Sequence, residues 1–279
     1  MKKRFQEMVW VYLVLAIGGL ALAIPFYYML VTSVKPQTEV AAAGVSFVAH
    51  HPTLQPYADL FDKRTSEDLV LRAAGNSVII AILSTGGGML LCTLAGYAFA
   101  KHRFPGRETL FLFLLSTMMI PGSVLLVPSF LLMRDFGWLD TWLPLIVPGL
   151  AGAFGVFLAR QFIEKIPDSL IECAKIEGCG EARIFWSMIL PLSKPLLATL
   201  GIMSFLGSWN SFLGPLIILL DEKKFTLPLV VAMLQGRFPG KDNMQMAGAM
   251  VSILPVLVLF FLFQRQIVQS LASSGLKDG

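Results

Sequence analysis

Ser204, Ser208, Trp209, Asn210 and Ser211 sit close together in 195–220, a stretch of 26 residues without Lys, Arg, Asp or Glu. Ser204, Ser208 and Ser211 are spaced i, i+4 and i+7, so on a helix they line one stripe. Hydroxyl and amide groups at that depth either hydrogen-bond neighbouring helices or receive a hydroxylated solute, and an indole offers a flat face to a sugar ring. The spacing leaves both readings open. A second set, Glu172, Cys173, Ala174, Gly178, Leu190 and Pro191, lies in the polar segment before it. It contains no nucleophile–base constellation and points to a shaped contact rather than to catalysis.

Several chemistries lack the residues they need. None of the chain's long apolar stretches holds an Asp, Glu, Lys, Arg or His, and His102 falls just past the second. Proton relays and ion-coupled sites in membranes use buried ionisable groups, which speaks against ion-driven transport. The Gly86-Gly87-Gly88 triplet lies in apolar sequence with no Lys-Ser or Lys-Thr after it, so the chain is not expected to hydrolyse ATP itself. Cys92, Cys173 and Cys179 give no disulfide or zinc framework and are expected to be free. No metal and no cofactor are expected.

Six charge-free stretches must position these residues: 8–34, 73–100, 109–133, 141–159, 195–220 and 243–264, of 27, 28, 25, 19, 26 and 22 residues. A bilayer core takes about 20 apolar residues of helix, and alternating barrel strands would not give such runs. The pattern predicts an all-α, polytopic membrane protein whose six spans lie at about 9–32, 73–100, 109–133, 142–163, 196–220 and 244–264. Another charge-free interval, 40–58, holds His50, His51, Pro52 and Pro56 and reads as loop. The apolar run after Met1-Lys2-Lys3-Arg4 greatly exceeds the ~7–15 residues of a secretory signal core, so a retained first span is expected.

With 56% hydrophobic and 14% charged residues in 279, the loops are too short for a separate soluble catalytic domain. The net charge of +4 says nothing of nucleic acid, because Lys and Arg in a membrane protein sort by side. An inside N-terminus gives thirteen Lys/Arg to the inner segments and nine to the outer ones. The Lys101-His102-Arg103…Arg107 cluster against the lone Arg134 supports the same orientation, with both ends cytoplasmic.

Within the second span, Ser84, Gly88, Cys92, Gly96 and Ala100 recur every fourth residue, a small-residue face that predicts a tight packing seam. Pro121, Pro128, Pro144 and Pro148, with Gly149, Gly152 and Gly155, soften or kink the third and fourth spans. The outer segment 35–72 is either a docking loop or a solvated linker.

The segment 164–194 is far longer than a connection requires. Ser169-Leu-Ile-Glu172 fits a capping box, and Gly178 can end the helix that follows by taking φ > 0. A second helix should start near Glu181, with Ile184, Phe185, Met188 and Ile189 as its apolar stripe, Pro191 as its stop and Pro195 at the start of span five. A two-turn helix is too short to stand alone in water. It leans either on its own spans or on a separate protein, and Cys173 and Ala174 keep its surface low, as a knob for a partner's cleft would require.

Glu172-Cys173-Ala174-Lys-Ile-Glu-Gly178…Leu190-Pro191 resembles the EAA motif of the membrane subunits of bacterial ATP-binding-cassette importers, with Cys173 and Met188 as mild departures. Asn76-Ser77, Ala95 to Ala100, Lys101 to Gly106, Met119-Ile-Pro121, Trp209 to Phe212, Thr226-Leu-Pro228, Gln264-Arg265 and the tail Ser273 to Gly279 extend the resemblance to the carbohydrate, maltose-transporter-type branch. The resemblance implies one transmembrane domain over 1–279, with 164–194 as a cytoplasmic coupling loop and 265–279 as a cytoplasmic tail, in a bacterial inner membrane. It implies a heterodimeric partner permease, two ATP-binding subunits that alone use ATP, and an extracytoplasmic solute-binding protein that delivers sugar. Glu172 would be the charged contact with the ATPase, Ala174 the close-packed surface and Gly178 the turn. The tail from Ser270 would reach between the ATPases. Other solutes of the same machinery, such as glycerol phosphate, amino acids, peptides or phosphate, stay open.

Overall fold

The computed structural model describes residues 2–42, 45–62 and 68–275, and every regular element among them is helical. Helix α1 (Lys2–Ser33) contains the first expected span. Short helices α2 (Gln37–Ala42) and α3 (Gln55–Phe61) occupy the outer segment that was expected to be loop. Pro56 stands in the first turn of α3, where its missing N–H costs nothing. Helix α4 (Leu69–Lys101) holds the second span whole.

The third span departs from expectation. It is two helices, α5 (Arg107–Ser116) and α6 (Leu126–Asp135), rather than one helix over 109–133. Thr117–Met119 tightens into a 3-10 turn and the chain then leaves helical geometry at Ile120. Pro121 follows directly and disfavours helix at the residue before it. The fourth span is likewise divided into α7 (Leu143–Ile146) and α8 (Ala153–Ile163), joined by the tight turn Val147–Gly149. Two loop helices follow, α9 (Asp168–Ile176) and α10 (Glu181–Leu192). The stretch expected as the fifth span is divided into α11 (Lys194–Trp209) and α12 (Leu213–Ile218). Helix α13 (Leu227–Arg237) lies in 221–242, between the fifth and sixth charge-free stretches, where no helix is expected from the sequence. Helix α14 (Asp242–Gly275) contains the sixth span. Among the described residues four helical stretches, Trp10–Ser33, Leu69–Lys101, Leu143–Ile163 and Asp242–Gln264, are long and apolar enough to cross a bilayer, and α10 with α11 makes a fifth if that bent pair is one span.

The chain divides into two compact units, Met1–Leu71 with Leu227–Leu254, and Arg72–Thr226 with Pro255–Gly279. In the first, Ser33 Oγ and Tyr57 OH lie 2.9 Å apart, and the Glu39 carboxylate accepts the His50 and His51 backbone N–H groups at 3.0 and 3.2 Å. Lys35 is buried with its ammonium on Ser46 O at 2.6 Å, and its own carbonyl accepts Asn243 Nδ2 at 2.9 Å. These bonds satisfy Ser33, Lys35 and Asn243, which offsets the desolvation penalty of burying them, while Thr32 Oγ1 and Gln37 Oε1 are buried without a hydrogen-bond partner among the described residues.

The second unit has a continuous apolar core. Cys92 and Tyr97 of α4 meet Val156, Ala159 and Ile163 of α8, Ile171 and Ala174 of α9, Ile184, Phe185 and Ile189 of α10, and Leu196 and Leu200 of α11. The small-residue seam is where α4 and α8 close up. A Cβ on Gly96 would lie 2.4 Å from Ala159 Cβ and 2.8 Å from Arg160 N. Arg160 itself is buried, donates to both oxygens of Glu108 at 2.9 and 3.0 Å, and lies 4.0 Å from the Phe111 ring centroid.

Asp140 ties the same unit together between α6 and α7, at positive φ of 56°. Its Oδ1 accepts Leu220 N and Asp221 N at 2.9 Å each, and its Oδ2 takes Lys224 Nζ at 2.6 Å. Asn76 Nδ2 bonds Lys223 O and Phe225 O, and Trp142 Nε1 bonds Lys224 O, so α4 and α7 share the knot. The Asp221 N–H, the Lys224 ammonium and the Leu220 N–H hold the Asp140 carboxyl down to about 2.

Two outcomes follow from these contacts. Gly96→Val lowers stability by at least about 2 kcal/mol, because the new atoms meet backbone that cannot retreat; a thermal melt of the detergent-purified protein reads this, and an unchanged midpoint would contradict it. Asp140 has a depressed pKa, so its contribution is complete above the unfolded value and fades as pH falls toward about 2. The melting difference between parent and Asp140→Asn should therefore be steady above about pH 5 and close progressively below it.

Candidate functional site

The polar segment builds its knob from α9. Ile171 and Ala174, three residues apart, turn inward and are buried, at 7% and 6% exposure. Ser169, Glu172, Cys173 and Ile176, spaced i, i+3, i+4 and i+7, form the opposite, exposed face. Ile176 is 85% exposed, a bare aliphatic side chain at the helix end. Ala174 therefore packs closely against its own chain and not outward, since the helix must bury one stripe to exist. Cys173 is an exposed free thiol.

The ends of α9 differ from expectation at the start and match it at the stop. The helix begins at Asp168 after Pro167, without a side-chain cap, so Ser169 sits inside the first turn and the capping box with Glu172 is not formed. Lys101 Nζ instead pairs with Asp168 at 2.6 Å, and holds that carboxyl below the usual range. At the other end Gly178 has φ of +82°. Its N–H donates to Lys175 O at 3.0 Å, and Cys179 N–H reaches Ala174 O at 2.9 Å. These are the paired reverse bonds of a Schellman stop.

Helix α10 begins at Glu181, as its apolar stripe predicts, with Ile184, Phe185 and Ile189 buried and Met188 half-buried. Lys175 donates to the Glu181 carboxylate, which lowers its pKa against the effect of burial. Phe185–Ile189 widens into a π turn just ahead of Pro191, whose missing N–H and bulky ring do not fit a regular α ladder. Leu190 is half-buried beside the core and Pro191 is exposed. The helix ends at Leu192, and α11, with Pro195 in its first turn, leaves at 79° to it.

The serine stripe lies apart from this loop in chain and in lining. Ser204, Ser208 and Ser211 line a cavity of about 280 Å³ with Gly207, Pro215, Ile80, Leu145 and Gly149. Ser84 and Thr226 complete its wall, and both hydroxyls are buried without a hydrogen-bond partner among the described residues. A smaller cavity, about 180 Å³, shares Gly149 and Ser204 with it. Trp209 and Asn210 are outside the lining. Trp209 is 2% exposed and stacks on Phe205 at 5.6 Å, so its ring face is already used, while Asn210 is exposed at the break after α11. Ser84 was legible only as a member of the small-residue seam, and Thr226 only as a residue beside Pro228. The tail's last four residues, 276–279, lie outside the described residues.

Apolar helices, several of them divided, joined by a long helical loop whose short helix keeps one face exposed, define a polytopic membrane protein. The chain belongs to the family of binding-protein-dependent transport system inner membrane components, whose family model matches residues 88–273. It is 34% identical over 255 residues to the arabinooligosaccharides transport system permease protein AraQ of Halalkalibacterium halodurans, covering 91% of this chain and 90% of that one. It is 31% identical to the lactose transport system permease protein LacG of Rhizobium radiobacter, covering 98% of each. Its fold is similar to that of a chain in the crystal structure of a bacterial ABC transporter involved in the import of the acidic polysaccharide alginate. That likeness has a TM-score of 0.81 at 23% identity, over 92% of this chain and 95% of that one.

Gly178→Ala should cost about 1–2 kcal/mol, the left-handed penalty for a residue with a Cβ. Hydrogen exchange at the amides of α9 reads it as faster local opening, and an unchanged exchange rate would show that the stop is not under this constraint.

Proposed function

We propose that the chain is the smaller membrane-spanning subunit of an ATP-driven, binding-protein-dependent sugar importer, lying in the inner membrane with both termini inside. It forms half of the translocation pathway. Six spans carry it, the third being α5 with α6, the fourth α7 with α8 and the fifth α11 with α12, within a single domain over 1–279. Broken helices with Pro and Gly at the breaks are tolerated at membrane depth where they line a cavity.

The observation that carries this reading is the bare face of α9. Glu172, Cys173 and Ile176 point away from the chain's own core on a helix held rigidly at both ends. An exposed acid beside an exposed aliphatic suits docking into a partner's cleft, with charge setting register and the aliphatic filling a pocket. The partner would be one of two ATPase subunits, which alone bind and hydrolyse ATP; this chain uses no cofactor. A second permease subunit completes the bundle, a solute-binding protein delivers sugar from outside, and the tail from Ser270 reaches between the ATPases.

The cavity supports a hydroxylated solute. Ser84, Ser204, Ser208, Ser211 and Thr226 offer hydroxyls and no formal charge, which suits neutral sugar hydroxyls better than ions. At about 280 Å³ it falls just below the roughly 300–1,000 Å³ of typical ligand pockets, so it would take one ring, with the partner permease supplying further walls. Similarity to permeases named for arabinooligosaccharides and lactose supports the same class.

The assembled transporter, purified with its ATPase and binding protein, should hydrolyse ATP faster with an arabinooligosaccharide, lactose or another oligosaccharide than without. A response confined to amino acids or peptides would reassign the solute, and none to any solute would contradict the reading. Glu172→Lys should cut the stimulated rate more than about tenfold, since reversing a docking charge leaves both partners unpaired, while the protein stays inserted. Ser204→Ala with Ser208→Ala should raise the sugar concentration for half-maximal stimulation; an unchanged value would make both packing residues.

A further inference from the structure

Lys101, the last residue of α4, counts in the sequence toward the charge bias and as the start of one segment of the resemblance. In the structure its side chain is 6% exposed. Its ammonium donates to Glu164 O at 3.3 Å, Ile166 O at 2.5 Å and Asp168 Oδ1 at 2.6 Å, which uses every N–H it has. Glu164 and Ile166 follow the end of α8, where unpaired carbonyls and the negative helix terminus favour a cation. Asp168 opens α9, where a carboxylate is favoured. One lysine thus caps the end of one helix and the start of the next from the tip of a third.

A second knot binds the other end of α9. Glu181 Oε1 takes Lys175 Nζ of α9 at 2.8 Å, while Oε2 accepts Tyr97 OH at 2.9 Å and lies 3.5 Å from His102 Nε2. Tyr97 is buried, with its ring 5.8 Å from that of Phe185 in α10 and 5.0 Å from that of His102. Both ends of α9 are therefore tied to residues 97–102. Apolar packing of Ile171 and Ala174 holds α9 down but is non-directional and permits sliding. Bonds between charged groups fix position, and breaking a buried one leaves its partners unsatisfied.

We propose that Lys101 and Glu181 are positioning residues that make α9 and the tip of α4 one mechanical piece, so that a pull on α9 moves the Ser84 wall of the cavity. Helix α4 carries that wall: Ile80 and Ser84 both line the cavity, and Ser84 stands about 25 Å along the helix from Lys101 at 1.5 Å per residue. A stiff helix clamped at one end delivers displacement to the other without a separate relay. The inference rests on α9 being the motor-facing element.

The test uses the full transporter assembled with its ATPase subunits, with Ser84→Cys as reporter in a Cys92→Ala, Cys173→Ser, Cys179→Ser background. The rate of maleimide labelling is compared between the nucleotide-free complex and the complex trapped with ATP and vanadate. The expected result is a nucleotide-dependent rate with Lys101 present. Lys101→Met should shrink that dependence by about tenfold or more, as loss of bonds from a charged group would, with ATP hydrolysis continuing, and Lys101→Arg should restore it. Glu181→Gln and Asp168→Asn, each removing one charge, should give intermediate losses even if Lys101→Met does not assemble. Full nucleotide dependence in Lys101→Met or in Glu181→Gln overturns the proposal. So does failure of every variant to assemble, which would reduce the contacts to packing. No nucleotide dependence with Lys101 intact would instead overturn the motor-facing assignment of α9.

Discussion

A two-turn helix cannot stand in water by itself, and the organisation of the 164–194 loop follows from what keeps α9 folded. Ile171 and Ala174 supply the buried stripe, Gly178 supplies the stop, and Lys101 and Glu181 fix the two ends. With one face committed to the core, the other is left rigid and bare. That combination explains why an aliphatic residue as exposed as Ile176 is held in place rather than collapsing onto its neighbours. A flexible loop would have to be ordered on binding and would lose affinity to that ordering. Here the chain itself has already imposed the order.

The same division between tight and open regions runs through the membrane-spanning helices. Gly96 brings α4 against α8 and Arg160 is pinned by Glu108 and Phe111, so one end of this unit is close-packed. Toward the breaks at Val147–Gly149 and after Trp209 the packing opens into cavities lined by hydroxyls, two of them without partners among the described residues. A buried hydroxyl without a partner costs free energy until a polar group satisfies it. Ser84 and Thr226 leave their hydroxyls free to meet a polar group that enters the cavity, as the proposed solute pathway requires.

Much of this was legible from residue order, and the misses have identifiable physics. The apolar runs located the bilayer-length helices, the Ser84-to-Ala100 period located the α4–α8 seam, and Gly178 marked its own left-handed turn. The breaks inside the third and fifth spans were not read, because uninterrupted hydropathy records burial in lipid and not helical continuity. Pro121 was visible as a softening residue, but whether neighbours let the helix continue is a tertiary matter. The capping box misled for a related reason: Ser169 and Glu172 have the right spacing, yet Lys101, sixty-seven residues before Asp168, captured the helix start. Trp209 was read for its flat face, whereas the side chain is buried and stacks on Phe205. Long-range pairings such as Asp140 with Lys224, or Tyr97 with Glu181, leave no periodic trace at all.

The central claim is that the exposed face of α9 is covered by an ATPase subunit, and Cys173 stands on that face as a native reporter. With Cys92 and Cys179 replaced by Ala and Ser, the rate at which a maleimide modifies Cys173 can be compared between the purified subunit and the complete transporter. The account predicts ready labelling of the isolated chain and strong protection in the assembly, with protection lost when the ATPase is stripped away. Equal labelling in the two states would contradict it.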